Sequence, residues 1–309
     1  MSKIAFLYPG QGAQKAGMGK DFYENSETVR EIYRAASEAL ELDMEALCFE
    51  ENDLLDLTEY TQAALVTTCL AMTKVVKEAG LEPDITAGLS LGEYAAIAAA
   101  GGMEDLDAIR LVRKRGILMQ NTVPAGEGAM CAVMAMEAEK IEQVIKDIDG
   151  VTIANYNCPG QIVITGKKEA VETAAKALTA AGAKRTIMLN VSGPFHSPML
   201  IPAGDELFKE LEKVTMKPLN IPYVTNVTAK EVRDIKDTKE LLRKQVSSPV
   251  RWMQSMENMI EQGVDTFVEI GPGRTLTGFM KKINREVNVF HISTWDDMKA
   301  VVSQLGGRK

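Results

Sequence analysis

The chain has 309 residues, enough for one large domain or two ordinary ones. Its 35 basic and 43 acidic residues leave a net charge of −8, which argues against a nucleic-acid binder, and no uninterrupted apolar run is long enough to span a bilayer. Cys48, Cys69, Cys131 and Cys158 form no C-x-x-C and read as free thiols, and Met1-Ser2-Lys3 runs straight into a strand-like segment without a signal-peptide pattern, so a cytoplasmic protein outside the membrane is expected.

Residues 4–8 read as a buried strand that Pro9 ends. The loop Gly10-Gln11-Gly12 that follows is glycine-rich, but a third glycine is missing at Lys15, so the loop does not complete a dinucleotide-binding fingerprint. Its glycines instead allow the backbone of Gln11 to approach a reacting group. Residues 21–41 and 59–79 have helical periodicity, with Gly80 as a stop for the second. A short strand, 85–87, leads into Gly88-Leu89-Ser90-Leu91-Gly92 and then an alanine-rich helix. This strand–turn–helix setting fits G-x-S-x-G as a nucleophile elbow, with Ser90 at a helix N-terminus. The next helix has an apolar face (Leu106, Ile109, Val112, Leu118) and the basic cluster Arg110, Arg113, Lys114 and Arg115, most of which reads as solvated charge.

Pro124 and Gly126 interrupt the pattern and mark a boundary. Strand-like 129–136, helical 137–148, strand-like 151–156 and 161–165, helical 168–181 and strand-like 184–191 then follow, the βαββαβ order of a ferredoxin-like unit. Beyond it come a helix over 199–213, a strand near 223–226, helices over 238–247 and 252–262, strands over 266–270 and 287–292, and a short C-terminal helix. The fold class expected is α/β. A hydrolase-like domain with a mostly parallel sheet, 1–124 plus 194–309, carries an inserted ferredoxin-like α+β subdomain, 125–193.

A serine nucleophile needs a base, and the chain has two histidines. His291 lies in an apolar strand and reads as structural. His196, in the proline-flanked loop that returns from the insertion, is the candidate.

Seven ordered motifs resemble the malonyl-CoA:acyl carrier protein transacylases along nearly the whole chain. They are Pro9-Gly10-Gln11-Gly12, Gly88-Leu89-Ser90-Leu91-Gly92-Glu93-Tyr94, Val112-Arg113-Lys114-Arg115-Gly116, Asn155-Tyr156-Asn157-Cys158-Pro159-Gly160-Gln161, Phe195-His196-Ser197, Gln245-Val246-Ser247-Ser248-Pro249-Val250 and Glu269-Ile270-Gly271-Pro272-Gly273. Two positions depart from the family: Leu89 stands where relatives commonly have histidine, and Gln62-Ala63 where they often have Gln-Pro.

The resemblance implies that Ser90 attacks a malonyl thioester and that His196 serves as base and acid, oriented by a main-chain carbonyl near Gln245. It implies an oxyanion hole from the N–H groups of Gln11 and Leu91, and a carboxylate clamp at Arg115. Phe195, Gln62 and Asn155 would contact substrate. No bound cofactor or metal is implied; a coenzyme A thioester, malonyl-CoA, is the substrate and an acyl carrier protein the partner. The enzyme is expected to be a monomer. Carrier proteins of the family are acidic, so an enzyme of net charge −8 needs a local basic patch, for which Lys184, Arg185, Lys281, Lys282 and Arg285 are candidates. The alternatives are a serine esterase or thioesterase, an acyltransferase serving polyketide synthesis, and a non-catalytic binding module built on the Gly10–Gly12 loop.

Overall fold

The computed structural model describes residues 2–306; Met1 and residues 307–309, the outermost parts of the large unit expected above, lie outside the described residues. The strands are β1 (Lys3–Tyr8), β2 (Ile85–Gly88), β3 (Gly128–Met134), β4 (Val151–Cys158), β5 (Gln161–Lys167), β6 (Arg185–Met188), β7 (Tyr223–Val224), β8 (Glu231–Val232), β9 (Val264–Ile270) and β10 (Asn288–Ile292). They form a six-stranded sheet in the order β10-β9-β1-β2-β7-β8 and a four-stranded sheet in the order β4-β5-β3-β6.

Every pairing in the larger sheet is parallel except β7 with β8. Parallel strands are covered on both faces, which is why all of β1 after Lys3 and all of β2 are buried apolar or small residues. The chain leaves central β1 for β2 on one side and later places β9 on the other. In such sheets, ligands bind beyond the carboxyl ends of the strands at this point of reversal. Tyr8 pairs with Gly88. The turn after β1, which carries Gln11, therefore emerges beside the turn after β2, which carries Ser90.

The four-stranded sheet is antiparallel throughout and follows the succession strand–helix–strand–strand–helix–strand. Its period-two alternation serves two cores. Cys131, Val133, Ile153 and Ile164 pack with Ile141, Val171 and Leu178 of the helices Ala138–Ile145 and Lys168–Ala180. Met130, Ala132, Ala154 and Val163 face the other way and join the main core. Backbone bonds from Tyr156 to the Val250 carbonyl and from Val250 to the Ala154 carbonyl tie β4 to the segment that precedes the helix Trp252–Glu261.

Two expected elements differ, and one strand lies outside the expectation. Residues 21–41 are two helices, Lys20–Asn25 and Glu27–Leu40. Ser26 between them is extended and its hydroxyl accepts from the Val29 N–H, so an N-cap interrupts what periodicity alone joins. The strand expected over 184–191 is shorter, Arg185–Met188; beyond it Leu189 and Val191 line the cavity described below. Strand β8 escapes the sequence reading because two residues carry no periodicity.

Candidate active site

The elbow depends on its glycines for measurable reasons. A Cβ on Gly88 would lie 1.9 Å from the Gly92 carbonyl carbon, and one on Gly92 would lie 2.2 Å from the Tyr8 carbonyl oxygen. Ser90, between them, has φ of 51°, and His196 has φ of 60°. Both are held in the left-handed region that L-residues seldom occupy, the kind of local strain that surrounding structure maintains at functional sites.

Ser90 Oγ lies 2.7 Å from His196 Nε2, and His196 Nδ1 lies 2.9 Å from the main-chain carbonyl of Gln245. A carbonyl can only accept, so Nδ1 carries the ring proton and Nε2 presents its lone pair to the serine hydroxyl. The imidazole is nearly inaccessible. Burial, reinforced by the Arg115 charge, pushes its pKa down to about 4, although hydrogen bonds that the ring makes to the backbone of Gln245 and Ser248 oppose the shift. His196 is therefore neutral at pH 7, with a lone pair free to take a proton.

Arg115 is the largest charged side chain in the interior, 1% exposed. The helix Asp105–Asn121 that carries it packs against the helix Thr58–Glu78. Gly116 sets their separation: a Cβ there would be 2.7 Å from Glu59 Cα. That approach brings Arg115 Nη1 within 2.8 Å of Gln62 Oε1. Nη2 donates to Ser90 Oγ at 3.1 Å and to Gln245 Oε1 at 3.0 Å. Among the described residues no carboxylate lies within ion-pair distance of this guanidinium, and its buried Nε has no partner. The neighbouring cations differ: Arg113 pairs with Glu59 at 2.8 Å and lies over the Tyr60 ring, while Arg110 and Lys114 are exposed.

A cavity of about 250 Å³ opens over these groups. Its wall includes Gln11, Leu91, Gln62, Asn155 and Phe195, so every residue expected at the reacting centre or the substrate reaches it except Gln245, which supports it from behind. Among the described residues, the N–H groups of Gln11 and Leu91 donate to no other part of the chain. Leu89 also lines the cavity and packs on the Gly10 backbone, where a Cβ would meet the Leu89 carbonyl oxygen at 2.7 Å. The five basic residues expected to dock a partner are absent from this wall. Lys184 and Arg185 lie on and beside the edge strand β6, and Lys281, Lys282 and Arg285 border a groove at the end of the helix Thr275–Ile283. His291 lies in β10, 3.7 Å from Asp297 and away from the cavity.

The acyl transferase domain family matches residues 5–300. A malonyl CoA-acyl carrier protein transacylase of Bacillus subtilis (strain 168) is 45% identical over 310 residues, covering 99% of this chain and 98% of its own. The chain belongs to the malonyl CoA-acyl carrier protein transacylase family. The solved transacylase of Clostridium perfringens superposes with a TM-score of 0.95 at 43% identity, covering 98% of this chain and 97% of its own. A malonyl-transacylase solved in complex with a type II polyketide acyl-carrier protein gives 0.95 at 38% identity, covering 98% of this chain and 100% of its own.

Three side chains in the transacylase site were not singled out from sequence. Asn157 lines the cavity with its buried Oδ1 unpartnered. The alternation of a strand, which sets 155 and 157 on one face, was the available signal. Asn226 accepts from the Ser90 N–H at 2.7 Å, and buried Glu93 accepts from Gln245 Nε2 at 2.7 Å. Asn226 follows a two-residue strand and has no local signature. Glu93 belongs to the elbow motif, but only its contacts give it a role.

The His196 environment fixes a pH dependence. Its folded pKa lies below the ordinary 6.5, so the neutral base persists to lower pH than usual. Acylation kcat/KM is expected to stay flat from about pH 8 to about pH 5 and to fall only below that. An acidic limb centred near the ordinary histidine value would contradict the buried, Arg115-facing ring. The same depression means that the unfolded chain binds a proton first, so this group's contribution to stability is lost as pH falls from 6.5 towards about 4.

Proposed function

We propose that this chain transfers a malonyl group from coenzyme A to the phosphopantetheine thiol of an acyl carrier protein, through a malonyl ester on Ser90, and so supplies fatty acid synthesis. The observation that carries the reading is the buried, carboxylate-free Arg115 guanidinium 3.1 Å from the nucleophile. A hydrolase of neutral esters has no use for such a charge, whereas a malonyl carboxylate entering this interior needs a partner.

In the first half-reaction, Ser90 Oγ attacks the thioester carbonyl and its proton passes to His196 Nε2. The oxyanion is met by the Gln11 and Leu91 N–H groups, and the imidazolium is held by the Gln245 carbonyl. Collapse breaks the C–S bond, and the departing thiolate takes the proton from His196. In the second half-reaction, His196 takes the proton of the carrier thiol, which attacks the ester; collapse breaks the C–O bond and the proton returns to Ser90. Initial velocities at several fixed carrier-protein concentrations should give the parallel double-reciprocal lines of a ping-pong reaction. Intersecting lines would require both substrates to be bound together and would overturn the scheme.

We read residues 125–193 as a ferredoxin-like insertion in a hydrolase-like domain formed by 1–124 and 194–309. The antiparallel order β4-β5-β3-β6 with both helices in one core, and the elbow on a parallel sheet, support this reading. Lys184, Arg185, Lys281, Lys282 and Arg285 would guide the acidic partner. All five are exposed, and Ile187 and Met188 on the same edge strand expose 47% and 44% of their surface beside the first two. Charge reversal at these positions should raise the KM for carrier protein and leave acylation by malonyl-CoA intact. Equal loss in both half-reactions would point to damage elsewhere.

Phe195 is 7% exposed and lines the cavity directly before His196. Its ring leaves little room for a methyl group on the acyl chain. Phe195→Ser is expected to relax discrimination against methylmalonyl-CoA by about tenfold, since one methyl is worth about 1–3 kcal/mol in a tight pocket. An unchanged ratio of kcat/KM values would remove Phe195 from the selectivity account.

A further inference from the structure

Glu93 is fully buried in the first turn of the helix Gly92–Ala99, three residues after the nucleophile. Its Oε2 accepts from Gln245 Nε2 at 2.7 Å and from the Asn226 N–H at 3.1 Å. Gln245 Nε2 also donates to the Ser90 carbonyl at 2.8 Å, so both its hydrogens are committed. With the amide so fixed, Oε1 faces Arg115 Nη2. Turned over, the amide would set donors against the guanidinium and an oxygen against two acceptors. Asn226 in turn accepts from the Ser90 N–H and donates to the Gly88 carbonyl at 2.8 Å. A single carboxyl oxygen thus lies one link behind both residues that hold the elbow backbone, and behind the amide that aims Arg115.

We propose that Glu93 is a positioning residue: as a hydrogen-bond acceptor it fixes the amide of Gln245, and through that amide it holds Arg115 in place for the malonyl carboxylate. What the position requires is the acceptor, not the negative charge. Burial pushes the Glu93 carboxyl up to about 7, so the interior tolerates it protonated, and a proton on Oε1 leaves Oε2 free to accept. The inference rests on the malonyl-transfer reading. Acylation of the wild-type protein by malonyl-CoA tests that reading by itself, whereas the comparison of variants tests Glu93.

The experiment measures acylation kcat and KM with malonyl-CoA and with acetyl-CoA, which has no free carboxylate. Glu93→Met fills the space without an acceptor. It should weaken both reactions through Asn226 and the elbow, and weaken the malonyl reaction further, so that the malonyl-to-acetyl ratio falls by roughly tenfold, the usual scale for leaving one buried polar group unpaired. Glu93→Gln keeps an acceptor oxygen and removes the charge, and should recover the ratio to within about threefold of wild type. Gln245→Met, which removes the amide but keeps the main-chain carbonyl for His196, should lower the ratio as Glu93→Met does, and the double variant should lower it no further. If Glu93→Met does not fold, Glu93→Gln and Gln245→Met still decide the matter. An unchanged ratio in Gln245→Met, or a ratio in Glu93→Gln as low as in Gln245→Met, would overturn the proposal.

Discussion

Ser90→Ala is expected to abolish transfer, with a loss of roughly 10⁴- to 10⁶-fold in kcat. In the proposed reaction the side chain removed is the one that forms the covalent bond, and nothing nearby replaces it. Of the two other groups within hydrogen-bond distance of its oxygen, His196 is aimed at that oxygen and fixed by the Gln245 carbonyl, and Arg115 is a cation without a lone pair to give. Truncation also leaves the fold alone. Ser90 keeps its backbone bonds to Asn226 and Gln245, and alanine needs no more room at φ of 51° than serine does. Thermal melting should therefore move little. Acylation by malonyl-CoA, followed by quench and counting of protein-bound label, checks the result; near-wild-type labelling would remove the elbow from the chemistry.

Arg115→Ala is expected to cut malonyl transfer by roughly thirtyfold to several thousandfold in kcat/KM. That is the range for truncating one partner of a buried charge pair, about 2–5 kcal/mol. Acetyl transfer should be spared or rise, because acetyl-CoA brings no carboxylate and the variant no longer buries an unpaired cation. Arg115→Lys should recover only part of the loss, since an ammonium lacks the two-pronged geometry that matches a carboxylate. Acylation rates with both thioesters check the split. Equal loss with both would mean that Arg115 supports the packing of the two helices rather than the substrate.

The sequence made the centre of this site legible because its parts are local. Gly88, Ser90 and Gly92 form one turn whose glycines are required by contacts under 2.3 Å, and such a requirement leaves a mark in five consecutive letters. His196 was recoverable by elimination, from two histidines of which the other lies in an apolar strand. Arg115 was separable from three adjacent cations only through the family resemblance. The structure supplies the physical reason, in Gly116 bringing its helix against Glu59 and turning Arg115 toward Gln62. Asn226 and Glu93 lay beyond reach for the opposite reason. Their roles come from contacts spanning more than 130 positions, which no local pattern encodes. The same limit applied to the fold: long buried strands such as β9 were readable, while β8 and the break at Ser26 depend on one pairing and one cap.

The most direct test of the central claim is the intact mass of the wild-type protein after incubation with malonyl-CoA. One malonyl group is expected per chain, on the peptide that contains Ser90, stable in buffer and discharged when holo acyl carrier protein is added. Turnover without an adduct, an adduct on another residue, or an adduct that water removes as readily as carrier protein does would contradict a malonyl-serine intermediate in a transacylase.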